Sequence, residues 1–149
     1  MAATSEPRDV REEPRGSDRW LRAAALVFLV TFVGHTVDHL RRGLDAISTE
    51  VEVLGNVGIV LSVVAIGLVL AGHRWGPAAA VAVGLPLAVG FALVHFLPDW
   101  GAFSDSFPSG DVDALSWLAA SGEVVGALVF ATAGVRVLRR HGLVSLASG

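Results

Sequence analysis

The stretch Gly34–Gly43, GHTVDHLRRG, gathers side chains that can do chemistry at the end of an otherwise apolar run. An α-helix turns by about 100° per residue. Both histidines, the aspartate and the second arginine therefore fall on one stripe of a helix, formed by His35, Asp38, His39 and Arg42. Such a stripe can bind a metal ion, carry protons or form ion pairs, and it is costly at the edge of a bilayer unless something pairs with it.

A metal site is the first interpretation of this stripe. His35 and His39 are one helical turn apart, a spacing that lets both imidazoles face one ion. His95 can add a third nitrogen from another helix, and Glu123 or Asp38 an oxygen. Three nitrogens and one oxygen suit zinc, copper or non-haem iron. Asp38 can instead orient a ligand histidine. Without a metal, the histidines lie at the headgroup level and bond water, lipid phosphate or loop carbonyls.

The same histidines also permit a b-type haem, clamped between His95 and either His35 or His39. Haem needs axial ligands from facing helices at the same depth, and these residues are at similar depths. The sequence supplies neither a glycine-lined cleft nor the second histidine pair of a multi-haem cytochrome. We therefore prefer a single metal ion to haem.

Glu123 is the most diagnostic single residue. It lies about nine residues into the last apolar run, where a carboxylate costs roughly 2.5–3.5 kcal/mol on insertion scales and by default marks function. It can carry protons, as in small proton-coupled exporters, or pair with His35 or His39 in a structural ion pair. Glu52, Asn56 and Asp99 are predicted to lie at the same end of the bundle and to support the site.

An acidic loop precedes the last apolar run. It holds four aspartates, Asp99, Asp105, Asp111 and Asp113. They lack the alternating ligands and the closing glutamate of a calcium loop, so we predict that these carboxylates are solvated. The loop also carries Trp100, Phe103 and Phe107, which predicts that it lies folded in the membrane interface.

Four apolar segments position these residues. They run at about 20–40, 51–71, 77–97 and 114–138, each long enough for the roughly 20 residues that a spanning helix needs. The prediction is an all-α, up-down-up-down bundle of four transmembrane helices over residues 19–141. Residues 1–18 are polar and of mixed charge and are predicted to be a disordered cytoplasmic tail. Residues 142–149 form a short C-terminal tail.

Composition agrees with a membrane protein and excludes other classes. Of the 149 residues, 53% are hydrophobic and 17% charged, with a mean hydropathy of +0.62; soluble domains carry about 25% charge. The chain has no cysteine, so disulfides and thiolate metal sites are excluded. The net charge of -3 and the lack of a basic, aromatic patch argue against nucleic acid as a partner.

The distribution of arginine predicts the orientation in the cell membrane. With the N-terminus in the cytoplasm, the inner helix ends carry Arg19, Arg22, Arg74, Arg136, Arg139 and Arg140, and the outer ends only Arg41 and Arg42. The positive-inside rule therefore places both termini in the cytoplasm. In this orientation all ionisable residues that can lie inside the bundle belong to its outer half.

Two phrases suggest a family. HTVDHLRRG and LPDWGAFSDSFP, together with the helix count, resemble small four-helix membrane proteins of high-GC actinobacteria, over about residues 20–140. The resemblance implies the four-helix fold and brings no activity or site residues with it. The short four-helix multidrug exporters differ, because their membrane glutamate lies in the first helix.

Three functions follow as hypotheses. The first is binding of a metal ion, or a metal-linked redox role, by His35, His39, His95 and Glu123, with Asp38 supporting. The second is proton-coupled transport by Glu123, in an oligomer. The third is a structural or accessory subunit that pairs with another membrane protein. Nothing in the sequence specifies catalysis, and we favour these roles over an enzyme.

Overall fold

The computed structural model describes residues 16–43 and 47–140, and this part of the chain folds into four α-helices. They are α1 (Gly16–Arg42), α2 (Thr49–Leu70), α3 (Gly76–Phe96) and α4 (Ala114–Arg140). All four are long and apolar enough to cross a membrane. This confirms the all-α prediction with four candidate spans. The predicted tails lie outside the described residues, except that 16–18 form the first turn of α1.

The ends of the helices follow local chemistry. Gly43 and Gly72 follow α1 and α2 with φ of 92° and 67°, a conformation that glycine adopts without steric cost. Ser48 caps α2 by accepting a hydrogen bond of 3.2 Å from the backbone nitrogen of Val51, which satisfies one of the free donors of the first turn. Pro77 lies in the first turn of α3, where its missing N–H costs nothing.

The last helix holds the bundle together. α4 packs extensively against both α1 and α3, whereas α1 and α3 have little direct backbone contact with each other, and α2 lies mainly against α3. Phe28 of α1 stacks on Phe130 of α4 with ring centroids 5.3 Å apart. Near the C-terminal end of α1, Arg41 contacts Ser116, which lies near the start of α4. α1 and α4 therefore run in opposite directions, and α4 brings α1 and α3 to a common site.

Apolar side chains lie on the outside of the bundle as well as in its core. Large exposed residues such as Val30, Val60 and Leu118 recur on the helices. A soluble protein seldom exposes so much contiguous apolar surface, but this surface is what a lipid environment requires.

Small residues let α3 and α4 approach closely. A Cβ atom built on Gly84 would lie 2.8 Å from the carbonyl oxygen of Ala127 and 3.2 Å from the Cβ of Ala131. The neighbouring backbone would have to move to accommodate it. By contrast, a Cβ on Gly90, in the same helix, would have no neighbour within 4 Å.

We expect Gly84→Ala to lower the free energy of unfolding by about 1–3 kcal/mol, because overpacking forces the two helices apart. Gly90→Ala is the matched control and should be neutral or stabilise the helix by about 0.5–1 kcal/mol. Thermal unfolding of both variants in the same detergent measures the difference. Equal Tm values would contradict the close approach of α3 and α4 at Gly84.

Candidate metal centre

The candidate centre lies where the C-terminal ends of α1 and α3 meet the first half of α4. α1 supplies His35 and His39 from successive turns, α3 supplies His95 from its last turn, and α4 supplies Glu123. Side chains His35, His95 and Glu123 are 3%, 2% and 1% exposed, and His39 is half-buried. Three imidazoles and one carboxyl group are thus wholly or partly buried at the same place in the bundle.

The three imidazoles converge on one another. Nε2 of His35 lies 3.2 Å from Nε2 of His95 and 3.1 Å from Nε2 of His39. One ring nitrogen from each of the three residues lies within 4.8 Å of the others. The sequence predicted that His35 and His39 share a face, and the structure adds that His35 meets His95.

Glu123 lies beside His35 on α4, outside the group of three residues whose ligand atoms are within 4.8 Å of one another. Its Oε2 atom lies 3.8 Å from Nε2 of His35. Neither of its carboxylate oxygens has a hydrogen-bond partner among the described residues. A buried polar atom without a hydrogen bond costs about 1–3 kcal/mol, a cost that a cation or a proton bound beside His35 would offset.

The tautomer of His95 follows from its other ring nitrogen. Nδ1 of His95 lies 3.2 Å from the backbone carbonyl oxygen of Asp105. A carbonyl can only accept a hydrogen bond, so Nδ1 carries the proton and donates it. Nε2 of His95 consequently presents a lone pair to the cluster, as a metal ligand must.

Hydrogen bonding alone does not explain why three imidazole nitrogens lie so close together. A ring nitrogen carries either one proton or one lone pair, yet Nε2 of His35 faces two other Nε2 atoms. The observed separations of 3.1 and 3.2 Å are close to the edge of a tetrahedron with metal–nitrogen bonds of about 2.0–2.1 Å, which is about 3.3 Å. A cation between the rings would use all the lone pairs at once.

Aromatic side chains wall the cluster. The ring of Phe91 lies 5.7 Å from that of His35, and the ring of Phe107 lies 4.7 Å from that of His95, between centroids. Phe107 is almost fully buried. These rings exclude water and lower the local dielectric constant, which strengthens the interaction between a cation and Glu123.

Asp38, which was predicted to support the site, pairs with an arginine. It is buried, but its Oδ1 accepts a hydrogen bond of 2.9 Å from Nε of Arg41 and not one from a ligand histidine. Arg41 reaches back over one turn and also contacts Asp113 and Ser116. Asp38 therefore helps to fasten the end of α1 to the start of α4.

Three further residues predicted to support the site are not brought to it. Glu52 and Asn56 are exposed on α2, because the buried face of that helix consists of Val51, Gly58, Ser62, Ala65, Ile66 and Val69. Asp99 is exposed in the loop after α3, where its side chain accepts a hydrogen bond of 3.0 Å from the backbone nitrogen of Gly101.

Asp105 is the residue that the sequence interpretation missed. The prediction of solvated carboxylates fits the exposed Asp99, Asp111 and Asp113, but it is wrong for Asp105, which is 8% exposed. Arg42 donates to both of its carboxylate oxygens, over 2.8 and 3.0 Å. Burial raises the pKa of the Asp105 carboxyl, but the hydrogen bonds and charge of Arg42 outweigh this and hold the pKa below its usual range. The sequence holds no local signal that separates Asp105 from the other three aspartates of the loop.

No protein-family model, curated protein or solved structure matches this chain. The resemblance to small four-helix membrane proteins of high-GC actinobacteria therefore stays a prediction. Function has to be argued from the geometry of the site.

Proposed function

We propose that this protein is a multi-pass membrane protein that binds one transition-metal ion through His35, His39 and His95, with Glu123 as the fourth ligand. The observation that carries the proposal is the convergence of three imidazole nitrogens beside a buried carboxylate that has no hydrogen-bond partner among the described residues. Asp105 supports it, because its carbonyl oxygen fixes the tautomer in which His95 can bind a cation.

The donor set favours zinc, with copper or iron as the other candidates. Three imidazoles and one carboxylate form a four-coordinate N₃O set, and zinc accepts such ligands in tetrahedral geometry. Haem is less compatible, because its axial imidazoles lie on opposite faces of the macrocycle. The Nε2 atoms of His35 and His95 are in direct contact at 3.2 Å, which leaves no space for a porphyrin between them.

We further propose that the site faces the outside of the cell membrane and that both termini are cytoplasmic, in an up-down-up-down topology. The bias of arginine toward the inner helix ends supports this orientation. The two arginines at the site end, Arg41 and Arg42, are neutralised by ion pairs with Asp113 and Asp105. The uncompensated positive charge is thus concentrated further at the proposed cytoplasmic end.

The packing around Glu123 favours metal binding over proton-coupled transport. Away from the cluster, the interface of α1 with α4 consists mainly of apolar side chains, among them Phe28, Ala127 and Phe130, each fully buried. The polar Thr31 also lies there, against glycines of α4, but its hydroxyl donates to backbone carbonyls of its own helix. A proton carrier would need polar groups or water along this interface. A role as accessory subunit is compatible with metal binding, and a second copy of the chain or another membrane protein remains the proposed partner besides the lipid bilayer.

The experiment that tests the proposal is elemental analysis of the protein, expressed without a histidine tag and purified in detergent without chelators. We expect close to one equivalent of zinc, copper or iron per chain. If iron is found, the absorption spectrum separates haem from a bare ion. Metal-free protein that also fails to bind added zinc, copper or iron in a titration would overturn the proposal.

A further inference from the structure

The loop between α3 and α4 folds back over the metal centre. Its backbone is fastened to the last turn of α3 by two hydrogen bonds, from Asp105 to the carbonyl oxygen of Val94 over 3.1 Å and from Phe107 to that of His95 over 2.9 Å. These bonds hold the segment around Asp105 next to His95, although the two residues are ten positions apart along the chain.

Asp105 makes two different contacts at this point. Its backbone carbonyl accepts the Nδ1 proton of His95, while its carboxylate receives both terminal nitrogens of Arg42. The carboxylate also comes within 3.5 Å of Nδ1 of His95. A bidentate guanidinium–carboxylate pair is geometrically specific, so Arg42 fixes the carbonyl that orients the imidazole.

The same pair closes the site from the loop side. The guanidinium of Arg42 lies over the ring of Phe107, 5.1 Å from its centroid, and that ring packs on His95. Arg42 itself is only 16% exposed in its side chain. Arg42, Asp105 and Phe107 thus form a cover on the imidazole of His95.

From this arrangement we propose that Asp105 is the positioning residue of the metal centre: clamped by Arg42, it orients His95 for the ion and slows release of the ion. The inference rests on the proposed metal-binding function and adds a residue that is itself no ligand. Outer partners of metal-binding histidines typically contribute 10–100-fold in affinity. We expect the contribution of Asp105 to lie in this range.

The test compares Asp105→Asn with Asp113→Asn. Both residues lie in the same loop and pair with an arginine at the end of α1, but Asp113 pairs with Arg41 and is exposed. Affinity for Zn²⁺ is measured by competition with a chromogenic chelator, and release is measured after mixing with excess chelator. Asp105→Asn should weaken binding about 10–100-fold and speed release, while Asp113→Asn should match the wild type.

Two spectroscopic readouts separate positioning from a general loss of stability. With Co²⁺ in place of Zn²⁺, the visible absorption bands should shift in Asp105→Asn and not in Asp113→Asn, because the geometry of one ligand changes. In the metal-free protein, ¹⁵N shifts of the histidine rings should show Nδ1 of His95 protonated in the wild type and a mixture of tautomers in Asp105→Asn.

Arg42→Lys serves as the second variant, should Asp105→Asn not fold. Lysine keeps the charge but loses the planar fork, so binding should weaken in the same direction by a smaller factor. Wild-type affinity and spectra in Asp105→Asn, or in Arg42→Lys if that is the variant that folds, would overturn the positioning role alone. No Zn²⁺ or Co²⁺ binding by the wild type would overturn the metal site and this inference with it.

Discussion

Replacement of His35 by alanine should weaken zinc binding about 100-fold. His35 is the central ligand of the proposed site, since its Nε2 atom lies 3.1–3.8 Å from the side chains of His39, His95 and Glu123. Zinc bound at structural sites contributes about 10–16 kcal/mol, so loss of one of four ligands removes roughly 3 kcal/mol, about a 100-fold drop in affinity. In His35→Ala together with His95→Ala, only two ligands remain and no stoichiometric metal should be retained.

The matched control is His73→Ala. His73 is exposed in the turn between α2 and α3, where its Nδ1 accepts a hydrogen bond from the backbone nitrogen of Trp75. It contributes an imidazole of the same chemistry but lies outside the cluster. Metal content should therefore be unchanged in this variant. If His35→Ala retained as much metal as His73→Ala, the ligand set would be wrong.

Glu123→Met should raise the stability of the metal-free protein and reduce the stabilisation that zinc provides. The substitution replaces a buried carboxylate without a hydrogen-bond partner by an apolar side chain of similar length. Without metal, the free energy of unfolding should rise by about 1–3 kcal/mol, the usual cost of an unsatisfied buried polar group. With zinc present, the variant should gain less stability than the wild type, because one ligand is missing.

Thermal unfolding with and without zinc checks both effects in one experiment. Glu52→Met is the control, since Glu52 is an exposed carboxylate in the first turn of α2. Its removal should change the free energy of unfolding by less than about 1 kcal/mol, with an undiminished response to zinc. A metal-free Glu123→Met protein that is less stable than the wild type would mean that the carboxylate already has a stabilising partner.

Hydropathy was sufficient to predict the four helices, because the length of an apolar run that crosses a bilayer is set by the thickness of the bilayer. It did not predict the bounds of α1, which begins at Gly16. Helix geometry continues there through a polar segment that precedes the apolar run. Apolar patterns locate the buried part of a helix and say little about its polar ends.

The site was predictable where it depends on local spacing. His35 and His39 share a face because they are one turn apart, and the depth of His95 and Glu123 followed from their positions along the apolar runs. Asp105 was not predictable in this way. Its partners, Arg42 and His95, are 63 and 10 residues away, and nothing local distinguishes it from the other three aspartates of the loop.

The prediction for α2 depended on how this helix is rotated about its own axis. Polar residues near its start favoured a face toward the cluster. Packing selects another face, since Gly58 lies against the side chain of Leu87 in α3 and Ser62 and Ile66 follow on the same side. The rotation of a membrane helix is set by contacts between small and large side chains of neighbouring helices. The amino-acid sequence of one helix does not specify these contacts.

The position of α4 bears on the order in which this protein matures. His35 and His95 belong to helices that pack on α4 more than on each other, and α4 is synthesised after the other three described helices. A nascent chain that ends before α4 holds all three imidazoles but lacks the helix on which α1 and α3 mainly pack. Binding of the proposed metal ion is thus coupled to the packing of α4, and a loaded ion would mark a chain in which all four described helices have assembled.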